Sequence, residues 1–264
     1  MKQTPAATTL HTLSRGLAML EIIAGSDGKE SAKSLGQALG LKSSTCYNLL
    51  RTLQNDRFVI KLPQGKYALG ERSARLGSSV VAHTKPLPGL SAFLEGLNRA
   101  TRETAYISGW YQGAIILQEW LPGLQPISVG NLDVGFVGLL HARASGKAIL
   151  ARLPEQQVRA ILPVEVLEQP TPASIGTRTE LLANLTQVRN DGYAVDNEEF
   201  QIGVCCVAAA FVNSTGQPVG AYAVSAPTDR FRLRSTSLSA QVRDAANRAS
   251  AYLKQQETST AVPE

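Results

Sequence analysis

The sequence predicts an α+β protein built in two parts, and three observations carry that prediction. The first third of the chain reads as short helices followed by two β-prone runs around Pro63-Gln64-Gly65, a helical unit closed by a hairpin. The remainder mixes helical segments with strands that pair locally across short turns, the pattern of a mainly antiparallel sheet. Charge divides along the same line. Residues 1–85 hold 12 Lys and Arg against 5 Asp and Glu, whereas residues 86–264 hold 14 against 16. A basic segment joined to a near-neutral one is how a phosphate-contacting module fused to something else looks.

The elements follow in order. "LSRGLAMLEIIAGS" reads as a first helix, with Ser14 as N-cap, Leu13, Leu17, Leu20 and Ala24 as its apolar row, and Gly25 as its stop. "SAKSLGQALG" is a short second helix ending at Gly40, and "KSSTCYNLLRTLQND" is a third. The hairpin "RFVIKLPQGKYALG" comes next, then a helix in "ERSARLGSSVVAHTK" with Leu69, Leu76 and Val80 near one side. Pro86, followed by Pro88-Gly89, marks a boundary. The expected domains are therefore 1–69, a winged helix-turn-helix; 70–87, a linker helix; and 88–264, an α/β domain.

In that last domain "LSAFLEGLNRAT" is helical, and "ETAYISGW", "AIILQEW" and "PISVG" are strand-like, the first two joined across Gln112-Gly113. "HARASGKAILARL" returns to helix. Thr177 and Glu180 have capping-box spacing at the head of "TRTELLANLTQVRNDG", and Gly192 sits where that helix should stop. The strands "VCCVAAAFV" and "PVGAYAVS" flank a turn at Asn213-Ser214-Thr215-Gly216, and a last helix is expected over about 235–254 with a frayed tail.

The third helix carries the chemistry of the first part. Cys46, Leu49, Leu50 and Leu53 follow i, i+3, i+4, i+7 and form its buried stripe. Ser44, Asn48 and Arg51 fall opposite, with Thr45 and Tyr47 on the shoulders and Lys42 and Ser43 at the start. An ordinary solvated helix face favours Glu and Lys, whereas Ser, Thr and Asn are weaker helix formers, so their concentration here calls for another reason. Short hydroxyls, an amide and a guanidinium suit phosphates and base edges in a major groove. Lys61 and Lys66 on the hairpin, the "wing", can reach backbone phosphate. Double-stranded DNA is the implied partner.

Other classes find less support. No apolar run is long enough to span a bilayer, the N-terminus lacks a signal-peptide pattern, and three cysteines make no disulfide framework, so a cytoplasmic protein is expected. His11, His83 and His141 are too scattered for metal-ligand spacing, and phosphate-loop glycine patterns are absent, so neither metal, cofactor nor enzymatic activity is expected. A cysteine hydrolase would need His141 brought to Cys206 by the fold. Cys205 and Cys206 leave a redox-responsive protein as an alternative, with a small-molecule enzyme behind it; adjacent cysteines in a strand are more often core. Tyr106, Trp110 and Trp120 suggest core packing before an aromatic pocket, and Arg230, Arg232 and Arg234 a solvated or subunit-contacting surface.

Over nearly its full length the chain resembles the IclR family of bacterial transcription regulators. The resemblance rests on "GLKSSTCYNLLRTL" with "GKYALG", on "LLHARASGKAILARLP", and on "DGYAVDNEEFQIGVCCVAAAFVNSTGQPVGAYAVSAP". It implies a winged helix, a linker helix that helps dimerise, and a GAF-like domain binding a small organic acid effector, in homodimers or dimers of dimers that repress or activate. It also implies effector contacts. The "ASGK" segment would offer N–H groups around Ala144, Ser145 and Gly146 to a carboxylate. Asp196 and Cys206 match the acidic and cysteine positions of the family pocket. Where many members have Ser-x-Ser this chain has Ala223-Val224-Ser225, leaving one hydroxyl, at Ser225, and pointing to a less polar or bulkier ligand.

Overall fold

The computed structural model describes residues 9–260 apart from 112, 131 and 133, so Gln112 of the expected turn lies outside the described residues. The chain divides into two compact units, one ending at Ala82 and one beginning at His83.

The first unit comprises α1 (His11–Ala24), α2 (Ala32–Ala38), α3 (Ser43–Asn55), strands β1 (Val59–Lys61) and β2 (Tyr67–Leu69), and most of α4 (Glu71–His83). α2 opens on a capping box between Ser31 and Ser34. Gly40, at φ +61°, takes the left-handed conformation that turns α2 into α3. Met19 and Ile23 of α1, Leu35 of α2, Cys46 and Leu50 of α3, and Val59 and Tyr67 of the hairpin share one core. Two expectations for α1 are corrected. The helix starts at His11 with Leu10 as its uncapping N-cap, so Ser14 is interior. Its buried row is Gly16, Met19 and Ile23, while Leu13 and Leu17 are exposed. Apolar residues occupy more than one face of this helix, so the period of 3.6 admits both rows, and packing on α3 and β2 decides. In the same way Leu69, Leu76 and Val80 are exposed, Leu69 belonging to β2 and not to α4.

The second unit runs α5 (Leu90–Thr101), β3 (Thr104–Tyr111), β4 (Ala114–Leu121), α6 (Ala144–Leu150), α7 (Glu155–Ile161), α8 (Arg178–Asp191), β5 (Ala194–Asn197), β6 (Val204–Val212), β7 (Pro218–Pro227) and α9 (Thr228–Thr260). The sheet order is β4-β3-β7-β6-β5, and every pairing is antiparallel. Strand alternation sends Cys205, Val207, Ala209 and Phe211 of β6 to the face covered by α5 and α9. Cys206, Ala208 and Ala210 point to the other face, among residues of α6 and α8. Helices therefore cover the sheet on both sides.

Several boundaries move. "PISVG" is irregular, not a strand, because its carbonyls serve side chains: Thr104 Oγ1 donates to Val129 O at 2.5 Å and Arg230 Nη2 to Ile127 O at 2.7 Å. α6 begins only at Ala144, β5 and α7 appear as elements of their own, and α9 starts at Thr228 and continues to Thr260. α8 has its Thr177–Glu180 capping box and its stop at Gly192, φ +76°.

Of the three arginines expected on a solvated or subunit-contacting surface before the last helix, all lie within α9, Arg232 is exposed, and Arg230 and Arg234 are corrected because they pair inward. Glu103, wholly buried between α5 and β3, receives Arg230 Nε and Nη2 at 2.6 and 2.7 Å and Arg234 Nη1 at 3.1 Å. Arg232 lies 3.6 Å from Glu198. The Arg230 fork thus ties α9, the head of β3 and the 122–130 segment together. Glu103→Ala is expected to cost about 2–3 kcal/mol, near the lower end for a broken buried pair because both arginines keep some solvent. Urea denaturation checks this; an unchanged midpoint would show the cluster to be energetically idle.

Candidate DNA-reading helix and effector cavity

On α3 the stripe of Cys46 and Leu50 is buried, with Leu49 and Leu53 half-buried beside it. Lys42, Ser43, Ser44, Tyr47, Asn48 and Arg51 are exposed and Thr45 is half-buried, as their angular positions require. Arg51 Nη2 donates to Asn48 Oδ1 at 3.0 Å, so these two side chains hold one another on the solvent face. Lys61 is exposed on β1. Lys66 is half-buried, and its Nζ donates to Lys29 O at 2.6 Å, fastening the hairpin to the segment before α2.

In the second unit the register of the sheet assembles a polar row. Asp196 of β5 faces Cys206 of β6, and Cys206 faces Ser225 of β7. The Cys206 Sγ to Ser225 Oγ distance is 2.9 Å. Tyr106 of β3 stands opposite Ala223 and completes the polar end. These residues, together with Arg143 just before α6, line a cavity of about 160 Å³. Its other walls are mostly apolar, from Leu117, Val129, Leu132, Phe136, Phe200 and Val204, with Gln201 the polar exception. An apolar hole of roughly 150 Å³ is enough for one benzene-sized molecule.

Arg143 is the feature that the sequence reading missed. Its side chain is 7% exposed, its Cζ lies 4.9 Å above the Phe136 ring, and its Nη1 is buried without a hydrogen-bond partner. A guanidinium nitrogen so placed is costly unless something anionic or strongly accepting meets it. The one available signal was the arginine directly preceding "ASGK". Ala144, Ser145 and Gly146 are themselves wholly buried and do not line the cavity. A Cβ at Gly146 would collide with the Leu140 carbonyl, so close backbone packing accounts for that glycine. Of the remaining expected contacts, Asp196, Cys206 and Ser225 come together on the wall, while Ala223 packs in the core. Trp110 and Trp120 also pack against that core.

The electrostatics follow from burial. The Asp196 carboxyl is pushed up to about 6 by desolvation, with Glu199 adding repulsion, although the Glu199 and Phe200 amides donate to its Oδ1 at 2.7 and 3.2 Å and Lys147 opposes the rise. Burial likewise pushes the Cys206 thiol and the Tyr106 hydroxyl far up, and Cys205 up. A redox sensor needs a stabilised, accessible thiolate, and these thiols are buried and on opposite sheet faces. His141 donates Nε2–H to Glu168 O at 2.6 Å, and no pairing with Cys206 is seen. Among the described residues no cluster of three His, Cys, Asp or Glu could hold a metal, and no helix is long and apolar enough to cross a membrane.

Residues 12–63 match the IclR helix-turn-helix domain, and residues 81–251 match the bacterial transcriptional regulator IclR C-terminal domain. The chain belongs to the IclR family. It is 33% identical to the acetate operon repressor of Salmonella typhimurium, over 92% of each chain. An IclR transcriptional regulator from Silicibacter sp. TM1040 superposes with a TM-score of 0.71 at 25% identity, covering 92% of this chain and 96% of that one. An IclR homolog from Microbacterium hydrocarbonoxydans, complexed with 4-hydroxybenzoate, superposes at 0.65 with 19% identity over 89% and 95%. This IclR-family member is thus a transcriptional regulator, not an enzyme, with a DNA-binding helix-turn-helix and a C-terminal effector domain.

Asp196 makes the stability of the second unit pH-dependent. Its folded value of about 6 lies above the unsheltered 3.8, so the cost of its burial is absent below about pH 4 and complete above about pH 6. Asp196→Asn keeps an oxygen for the two amides and is expected to be more stable than wild type at pH 7.5, on the order of 2 kcal/mol. That gap should close near pH 4. Denaturation at the two pH values checks it; a constant difference would remove the charge from the account.

Proposed function

We propose that this regulator represses transcription from an operator that it grips through α3 and the wing, and that a small organic carboxylate in the cavity changes that grip. The observation that carries the effector class is the unpartnered, buried Nη1 of Arg143, a residue lining a cavity whose walls beyond the polar row are mostly apolar. A carboxylate supplies the bidentate acceptor that a guanidinium prefers, and a ring or short chain fills the apolar end. Ser225, Cys206 and Asp196 then meet the polar edge of the ligand, with Ala223 behind the wall and Ala144-Ser145-Gly146 supporting Arg143. Repression is supported by the function named for the Salmonella relative.

On the DNA side, Lys42, Ser43, Ser44, Thr45, Tyr47, Asn48 and Arg51 form the reading face, with Lys61 and Lys66 toward phosphate. The reader is 1–69, the linker 70–87 and the sensor 88–264. The exposed Leu76 and Val80 on α4 support its role in joining two copies, and the working form is a homodimer or dimer of dimers in the cytoplasm. Coupling of about 1–3 kcal/mol between effector and operator is the ordinary range for such a device.

The first test titrates the protein with 4-hydroxybenzoate, benzoate, acetate and butyrate while it is bound to DNA from upstream of its own gene. At least one acid should shift operator affinity, and Arg143→Gln should weaken that acid by about 2 kcal/mol, some thirtyfold. An Arg143→Gln protein that responds like wild type would remove the carboxylate from the reading. Ser225→Ala should weaken the same acid while operator affinity without it stays unchanged. On the other surface, Arg51→Ala should cost about 1–3 kcal/mol of specific operator binding and leave the effector titration intact. Equal operator affinity would take Arg51 off the reading face.

A further inference from the structure

Building on that carboxylate reading, we propose that effector binding in this cavity is coupled to the uptake of one proton by Asp196. Four buried charged side chains gather at this end of the sheet: Arg143 and Lys147 from the start of α6, Asp196 from β5, and Glu199 from the loop after it. Their charges sum to zero. Lys147 and Glu199 are already committed to each other, Nζ to Oε1 at 2.5 Å with the lysine 1% exposed. The other groups facing Asp196 are Tyr106 of β3, Cys206 of β6 and Ser225 of β7. Burial keeps the tyrosine and the thiol protonated, so none of the three brings positive charge. His141, just upstream of Arg143, is bound to the Glu168 carbonyl.

A carboxylate seated on Arg143 therefore leaves one net negative charge in a space largely walled off from water. Two carboxylates sharing one cation at short range cannot both stay ionised cheaply, and the more weakly held one takes a proton. Glu199 has Lys147 in contact. Asp196 forms no ion pair among the described residues; its partners are the two backbone amides at Oδ1 and the Cys206 thiol, all neutral. Asp196 is the acid that yields. The proton comes from solvent and adds to the Asp196 carboxylate, while the bound acid remains a carboxylate facing Arg143. Asp196 then becomes a donor, able to hydrogen-bond the ligand in place of repelling it.

The sign follows from linkage. Asp196 in the free protein titrates near 6, and higher in the complex, so between those values binding takes up a proton and affinity falls as pH rises. Below about pH 6 carboxylate affinity should be flat; above pH 7 it should fall about tenfold per pH unit until the bound form itself ionises.

The experiment is titration calorimetry on the full-length protein at pH 7.5 with 4-hydroxybenzoate and benzoate, in phosphate, HEPES and Tris. The dependence of heat on buffer ionisation enthalpy counts protons directly. Close to one proton taken up per site is expected, and benzamide, the uncharged isostere, should take up none. Asp196→Asn should bind the acids with no proton uptake and a flat pH profile. A wild-type count near zero with either acid overturns the proposal, and so does a full proton retained in Asp196→Asn. If no carboxylate binds at any pH, the carboxylate reading has failed first, which is a different outcome from binding without a proton.

Discussion

Covering both faces of one antiparallel sheet is the constraint from which the rest of the second unit follows. With α5 and α9 on one side and α6 and α8 on the other, the inner strands β6 and β7 must be apolar at nearly every position, and the face toward α6 and α8 is built from alanines at 208, 210, 221 and 223. Against that background a polar side chain needs its own partner. Asp196, Cys206 and Ser225 satisfy this by standing opposite one another across three strands, which is also what turns three distant sequence positions into one wall. The cavity lies on that face, with Val129, Gly130, Leu132 and Phe136 among its walls.

That closure is held by charge as well as by apolar contact. Glu103 would be an intolerable buried anion alone; two arginines from α9 neutralise it, and one of them reaches on to the Ile127 carbonyl. Thr104 holds the nearby Val129 carbonyl, so one wall of the cavity is fixed from the head of β3. Arg143 differs from these arginines. It is stacked and buried like a structural residue, yet one nitrogen has no acceptor.

Much of this was legible in the sequence where local chemistry decides. The α8 capping box, the Gly192 stop, the Gly40 turn and the β6–β7 hairpin each depend on residues a few positions apart, and all stand where their signals put them. What failed depended on contacts distant in sequence. Nothing local distinguishes the Leu13–Leu17 row of α1 from the Met19–Ile23 row; the core of the unit chose. "PISVG" has strand-forming residues, but its carbonyls are taken by Thr104 and Arg230. Asp196, Cys206 and Ser225 were found by resemblance and their juxtaposition by register, whereas Arg143 escaped because an arginine at a helix start ordinarily faces solvent. Its burial is a tertiary fact.

The Arg51–Asn48 hydrogen bond holds two side chains in place on the solvent face of α3 before anything meets them. With one Oδ1 lone pair taken by Arg51, the Asn48 amide keeps its two N–H donors and a second lone pair, and the guanidinium beside it only donates. The pair's outward edge is therefore rich in donors, the complement of phosphate oxygens and of acceptors on base edges. On the reading face proposed above, two side chains that already hold one another lose less freedom on contact than two free ones would.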